Sequence, residues 1–141
     1  MKPEEDDEQA REVLVVEDDP WIRALLTDLL AAEGFEVEQA SNGPSAIRLA
    51  NEQHPDLVLL DLAMPEMSGT QVLRKLKADH DTDKVPVIVV SAYTRHLGSD
   101  DARLADGIIE KPFDLEDVLA RVKRLTHGES PPPSARRTLG Y

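Results

Sequence analysis

Three apolar runs stand out from the polar background of the chain: Val13-Leu14-Val15-Val16, Leu57-Val58-Leu59-Leu60 and Val85 to Val90. None alternates with polar residues. Such a run reads as a strand covered on both faces, as in a parallel sheet. Two weaker strands complete the set. Phe35, Val37 and Ala40 alternate with charge, which predicts an edge or half-exposed strand, and Gly107-Ile108-Ile109-Glu110 predicts a short one.

Helical spacing fills the gaps between them. After the first run, Asp19 suits an N-cap and Pro20 the first helical position. Ile22, Leu25, Leu26, Leu29 and Leu30 then recur at i, i+3, i+4, i+7 and i+8, an amphipathic helix facing a sheet that Gly34 closes. Ser41-Asn42-Gly43 predicts a turn, and Ala46, Ile47, Leu49 and Ala50 a second helix ending near His54-Pro55. Ser68 is placed to cap a third helix, with Val72, Leu73 and Leu76 inside and Arg74, Lys75 and Lys77 on the wet side. Asp79 to Lys84 reads as a polar loop. A short helix is expected from Ser99 to Ala105, with Leu97, Ala102, Leu104 and Ala105 as its apolar face. Asp114 caps a last helix that buries Leu115, Val118, Leu119, Val122 and Leu125. Strand and helix thus alternate five times, which predicts an α/β fold: a parallel sheet with helices on both faces.

The ends of the chain lack this periodicity. Residues 1–11 read as a disordered acidic extension, residues 12–126 as one domain, and residues 127–141, with Pro131-Pro132-Pro133, as a flexible Pro-rich tail. The net charge of −12 divides into −4 over residues 1–12, −9 over 13–126 and +1 over 127–141. Direct DNA binding is not expected of so acidic a surface, since phosphate contacts need clustered Lys and Arg. A cation or a basic partner fits better. Cysteine is absent, which excludes disulfides, thiolate metal sites and a cysteine nucleophile. No apolar run approaches the ~20 residues of a membrane span. The acidic N-terminus is unlike a secretory signal, so a cytoplasmic protein without membrane contact is expected.

The chemistry gathers at the strand ends. Glu17, Asp18 and Asp19 follow the first strand, Asp61 ends the third, Ser91 the fourth, and Lys111 follows the fifth. In a parallel sheet those ends share one edge, where open α/β sheets place their ligands. Clustered carboxylates either share a proton or hold a cation. With oxygen ligands and no His or Cys beside them, Mg²⁺ is the natural ion. An aspartate beside a metal can attack phosphorus, a lysine brings a point charge for phosphate, and a serine hydroxyl can bond one of its oxygens. Asp19 is better read as a helix cap. Trp21 reads as partly exposed packing, Met64 and Met67 as loop or packing residues. His54, His80, His96 and His127 are too scattered to form a ligand set.

Four ordered motifs carry a family resemblance: Val-Val-Glu-Asp-Asp at Glu17 and Asp18, Leu-Leu-Asp-Leu-Ala-Met-Pro at Asp61, Val-Val-Ser-Ala at Ser91, and Glu-Lys-Pro-Phe at Lys111. Over residues 12 to 126 the chain resembles the receiver domain of two-component response regulators, of the single-domain type. The resemblance implies a flavodoxin-like, doubly wound five-stranded sheet in the order 2-1-3-4-5. It implies that Asp61 accepts a phosphoryl group from a sensor histidine kinase, a phosphotransfer protein or a small donor. Asp18 and Asp61 would bind Mg²⁺ directly, with the backbone carbonyl of Ala63, and Glu17 through water. Lys111 would pair with the phosphate and Ser91 sense it, and the Lys111–Pro112 bond would be cis. The protein would then be a signalling receiver that catalyses only its own phosphorylation and slow dephosphorylation, switching contacts with an unnamed downstream protein and carrying no output domain.

Some positions depart from the family pattern. Ile108 stands where the switch aromatic is usual, and the segment between Ser91 and Lys111 is about a turn short. Ala63 offers no polar side chain to an attacking water, and Tyr93 is placed to shield the phosphate. Two rival functions follow. One is a pseudo-receiver that binds proteins without turning over phosphate, against which the complete set of Asp18, Asp61, Ser91 and Lys111 argues. The other is an aspartyl-phosphate hydrolase of the haloacid-dehalogenase type, set aside because Ala63 occupies the position of its second aspartate.

Overall fold

A computed structural model describes residues 11–92 and 97–126. Strand and helix alternate throughout: β1 (Glu12–Val16), α1 (Pro20–Ala32), β2 (Glu36–Ala40), α2 (Gly43–Gln53), β3 (Leu57–Asp61), α3 (Gly69–Ala78), β4 (Val87–Ser91), α4 (Ser99–Leu104), β5 (Gly107–Glu110) and α5 (Leu115–Thr126). All strand pairings are parallel, in the order β2-β1-β3-β4-β5. This is the predicted doubly wound α/β sheet.

The apolar runs lack polar alternation because both faces of the central strands are covered. Leu14, Val16, Val58, Leu60, Val87 and Val89 join one core with Ala46, Val72, Leu73 and Leu76 of α2 and α3. Their neighbours Val13, Val15, Leu57, Leu59, Ile88 and Val90 point the other way. They join a second core with Leu26 and Leu30 of α1 and Val118 and Val122 of α5. A period of two thus feeds two layers from a single run. β2 lies at the sheet edge, as expected, but its exposure does not alternate: Glu36 and Gln39 are exposed, Val37 and Glu38 half-buried and Ala40 buried.

The caps follow local chemistry. Asp19 accepts the N–H groups of Trp21 (2.9 Å) and Ile22 (3.4 Å), with Pro20 at the helix start. Ser68 and Gln71 form a reciprocal capping box on α3. Asp114 accepts the Glu116 N–H at 2.9 Å. Asn42, read as a turn residue, also caps α2 by accepting the Ser45 N–H at 2.9 Å. Gly34 takes φ +96° after α1, the left-handed geometry glycine permits.

Several boundaries and faces differ from expectation. The fourth strand starts at Val87, not Val85: Pro86 has no N–H to give a neighbour, and the Val85 N–H closes a turn onto the Thr82 carbonyl at 3.1 Å. Phe35 lies in the connection after α1, its N–H bonded back to the Leu30 carbonyl at 3.1 Å, so β2 begins at Glu36. The apolar stripe of α1 is wider than the sheet it covers. Leu26 and Leu30 are buried, but Leu25 is 46% exposed and Trp21 84% exposed. In the α4 segment Leu97 is buried while Leu104 faces solvent, and the helix stops at Leu104. In α5, Val118 and Val122 are buried and Leu115, Leu119 and Leu125 only partly so. Arg74 is half tied down rather than free on the wet side: Nε and Nη2 make a two-pronged pair with Asp101 at 2.8 and 2.7 Å. Lys77 reaches the Val85 carbonyl (2.8 Å) and Asp106 Oδ2 (2.9 Å). Residues 1–10 of the predicted N-terminal extension and the predicted tail at 127–141 lie outside the described residues, as do Tyr93 and His96. Among the described residues, no helix is long and apolar enough to cross a membrane.

Candidate phosphoryl and metal site

Sheet register brings the chemistry together. Asp61, the last residue of β3, lies opposite Val90 of β4, and Ser91 lies opposite Glu110 of β5. The Lys111 N–H then donates to the Ser91 carbonyl at 3.0 Å, so the residue after β5 stays beside the end of β4. On the other side, β1 runs level with β3 and releases the chain at Glu17. The site therefore gathers five of the predicted residues, Glu17, Asp18, Asp61, Ser91 and Lys111, at one sheet edge. Carboxylate oxygens of Glu17, Asp18 and Asp61 all lie within 4.8 Å of one another. Lys111 Nζ sits 3.2 Å from Glu17 Oε1 and 3.6 Å from Asp61 Oδ1. The Lys111–Pro112 bond is cis, as the resemblance implied.

Gly69 fixes the floor. A Cβ at this position would collide with the Asp61 carbonyl and the Leu62 backbone, so the start of α3 lies directly on the end of β3. The Gly69 N–H donates to the Leu62 carbonyl at 2.9 Å. Only a residue without a side chain allows that approach.

Burial dominates the electrostatics. Glu17 is 2% and Asp61 4% exposed. Burial pushes Glu17 up to about 7, and the neighbouring Asp61 adds to the rise; the Asp19 N–H and Lys111 oppose it. Asp61 is also raised by burial, against the pull of Lys111 and of an Ala63 N–H directed at its carboxylate. Asp18 is more open than either.

The donor set suits a hard divalent cation. Among the described residues, three carboxylates converge without a sulfur or imidazole, and Asp61 Oδ1 is buried with no hydrogen-bond partner. A buried orphan acceptor is costly unless something positive meets it. Lys111, at 3.6 Å, gives it charge but not a hydrogen bond.

Ser91 is fully buried at the end of β4. Ala63 is exposed two residues after Asp61, and Ile108 is half-buried against the core that α2 and α3 cover. One residue of the site was not anticipated. Arg23, in the first turns of α1, donates from Nη1 to the Glu17 carbonyl at 2.8 Å. Its only signal in the sequence was a cation set into the apolar stripe five residues after Asp18.

The family model described as response regulator receiver domain matches residues 13–123. The chain belongs to this family. This receiver is 35% identical over 117 residues to the polar-differentiation response regulator DivK of Brucella ovis, covering 80% of this chain and 94% of that one. It is 38% identical over 131 residues to the DNA-binding response regulator MtrA of Mycolicibacterium smegmatis, covering 89% of this chain and 55% of that one. The receiver thus spans about half the length of that longer relative. Among solved structures it resembles the response regulator TrrA of Thermotoga maritima in complex with Mg²⁺-BeF. There the TM-score is 0.75 at 32% identity, over 82% of this chain and 98% of that one. The receiver is a signalling domain of two-component systems.

Proposed function

We propose that Asp61 accepts a phosphoryl group from a phosphohistidine of a sensor kinase or phosphotransfer protein, and that this switches the receiver's contacts with a downstream protein. An Asp61 oxygen would attack phosphorus as the P–N bond to the donor imidazole breaks, giving an aspartyl phosphate. Phosphoryl transfer asks mainly for positioning and charge neutralisation. Lys111, already between Glu17 and Asp61, would turn to the incoming phosphoryl oxygens, and Ser91 would donate a hydrogen bond to one of them. Asp18, Asp61 and the Ala63 carbonyl would hold Mg²⁺, with Glu17 acting through water. When bound, that ion would screen the carboxylates from the phosphoryl oxygens.

One observation carries the reading: Asp61 Oδ1, buried and without a hydrogen-bond partner, faces a lysine and two further carboxylates. Asp83 Oδ1 is also buried without a partner, and what distinguishes Asp61 is the lysine and the two carboxylates that converge on it. The Mg²⁺-BeF complex of TrrA supports the choice of ion.

The test is incubation with a small phosphoryl donor, with Mg²⁺ or with chelator, followed by intact mass. A hydroxylamine-labile phosphate is expected only with Mg²⁺, and Asp61→Asn is expected to fold and stay unlabelled. A folded wild type that never labels would make the domain a protein-binding module instead.

A further inference from the structure

Glu17 is fastened at every polar group it has. Its N–H donates to the Ala40 carbonyl at 3.0 Å. Its Oε2 accepts the Asp19 N–H at 3.2 Å, and its Oε1 accepts Lys111 at 3.2 Å. Its carbonyl accepts Arg23 Nη1 at 2.8 Å. Asp18 is the opposite case: its carboxylate has no hydrogen bond or ion pair among the described residues. The Asp18 side chain therefore goes where its backbone sends it.

Arg23 grips the carbonyl of the peptide that joins Glu17 to Asp18. A peptide is planar, so holding its oxygen sets the direction in which the chain continues through Asp18. The arm that does this is anchored. Arg23 N–H bonds to the Asp19 carbonyl at 2.9 Å, closing the turn around the loop. Its own carbonyl accepts Thr27 Oγ1 at 2.7 Å, and Leu26 and Leu30 root the helix in the core. We infer that Arg23 is a positioning residue for the divalent cation: its grip on the Glu17 carbonyl presets the Asp18 carboxylate against those of Glu17 and Asp61. This rests on the metal-binding part of the proposed function, and adds to it a residue that touches neither metal nor phosphate. Groups that orient ligands from behind commonly change metal affinity by tenfold or more when removed.

The test is an Mg²⁺ titration of the full chain followed by ¹H–¹⁵N NMR, on wild type, Arg23→Gln, Arg23→Met and Arg23→Lys. Wild-type amides of residues 17–19 are expected to shift saturably. In Arg23→Gln and Arg23→Met the midpoint is expected to rise about tenfold. Arg23→Lys, which keeps a charged donor, is expected to fall between. In labelling with a small donor, the loss is expected in the Mg²⁺ midpoint more than in the rate at saturation. An unchanged Mg²⁺ midpoint in the folded variants, with a lowered melting temperature, would make Arg23 merely structural and overturn the inference. If Arg23→Met does not fold, the shorter polar Arg23→Gln decides. A wild type that neither binds Mg²⁺ nor labels would overturn the proposed function itself, and Arg23 with it. A wild type that does both, beside an unmoved Arg23→Gln, would overturn Arg23 alone.

Discussion

Lys111 and Glu17, 94 residues apart in sequence, are joined by a 3.2 Å hydrogen bond between Nζ and Oε1. The same ammonium stands 3.6 Å from Asp61. One cation thus serves two buried carboxylates, and it does not suffice. Glu17 is still pushed up to about 7, because burial and the Asp61 charge outweigh the lysine.

Removing that cation exposes the imbalance. Lys111→Met keeps the stem and loses the charge. We expect unfolding free energy at pH 7.5 to fall by about 2 kcal/mol, below the range for breaking a fully buried pair because the acids can take up a proton. At pH 5, where Glu17 is protonated, the variant should lie closer to wild type. Urea melts at both pH values measure this, and the labelling rate should fall at least tenfold with the phosphate's partner gone. An equal loss at the two pH values would mean that packing, not charge, is what Lys111 contributes.

The wild type should itself lose stability as pH rises. Glu17 goes from an ordinary value of 4.5 unfolded to about 7 folded, so between those values the folded state holds a proton that the unfolded state has released. Stability is therefore full below pH 4.5 and lost as pH climbs through 7. Asp61, also raised, acts in the same direction. Asp101, lowered by its pair with Arg74, acts below its ordinary 3.8 and so outside this window. Without metal, we expect the domain to be on the order of 1–3 kcal/mol less stable at pH 8 than at pH 5. Mg²⁺ should restore stability at pH 8 and do little at pH 5, where protons compete for its ligands. Melting curves in chelator and in Mg²⁺ at each pH check the sign.

Gly69→Ala tests the floor of the site. The added methyl meets backbone on both Asp61 and Leu62, neither of which can turn aside as a side chain would. We expect a loss of roughly 3 kcal/mol, at the upper end for overpacking, read by urea denaturation. A neutral result would show that α3 can slide away from β3.

Trp21 and Leu25 stand one turn apart on α1, both exposed, on the helix that follows Asp18 and Asp19. If the proposed phosphohistidine protein docks over the start of α1, these two side chains would be its apolar anchors. Replacing both with Ala should change stability by no more than about 0.5 kcal/mol, since neither is buried. Labelling by a small donor should be unaffected, and transfer from a phosphohistidine protein should slow about tenfold, the size of one modest anchor residue. Equal slowing with both donors would place the effect in the site rather than in docking.

Much of this was legible before any coordinates. A parallel sheet needs strands apolar on both faces, so the apolar runs that begin at Val13, Leu57 and Val85 declare it, and parallel strands place Asp18, Asp61, Ser91 and Lys111 at one edge. Capping was legible where the side chain is its own signal, as at Asp19 and Ser68. What periodicity cannot report is how far a covering layer extends. Leu25 and Leu104 keep the helical period and still face water, because the sheet below is narrower than the stripe above. Nor can it see long side chains that fold back onto the protein. Arg74 and Lys77 read as solvated cations and Arg23 drew no reading, yet each is committed to an oxygen across a turn or a helix gap.

The most direct measurement is to trap the labelled protein with borohydride, which reduces an aspartyl phosphate to homoserine, and to map the modified residue by peptide mass spectrometry. The account predicts homoserine at position 61 alone, formed with Mg²⁺ and absent in chelator. Homoserine at another aspartate, or a phosphate that survives on serine or histidine while Asp61 stays unmodified, would contradict it.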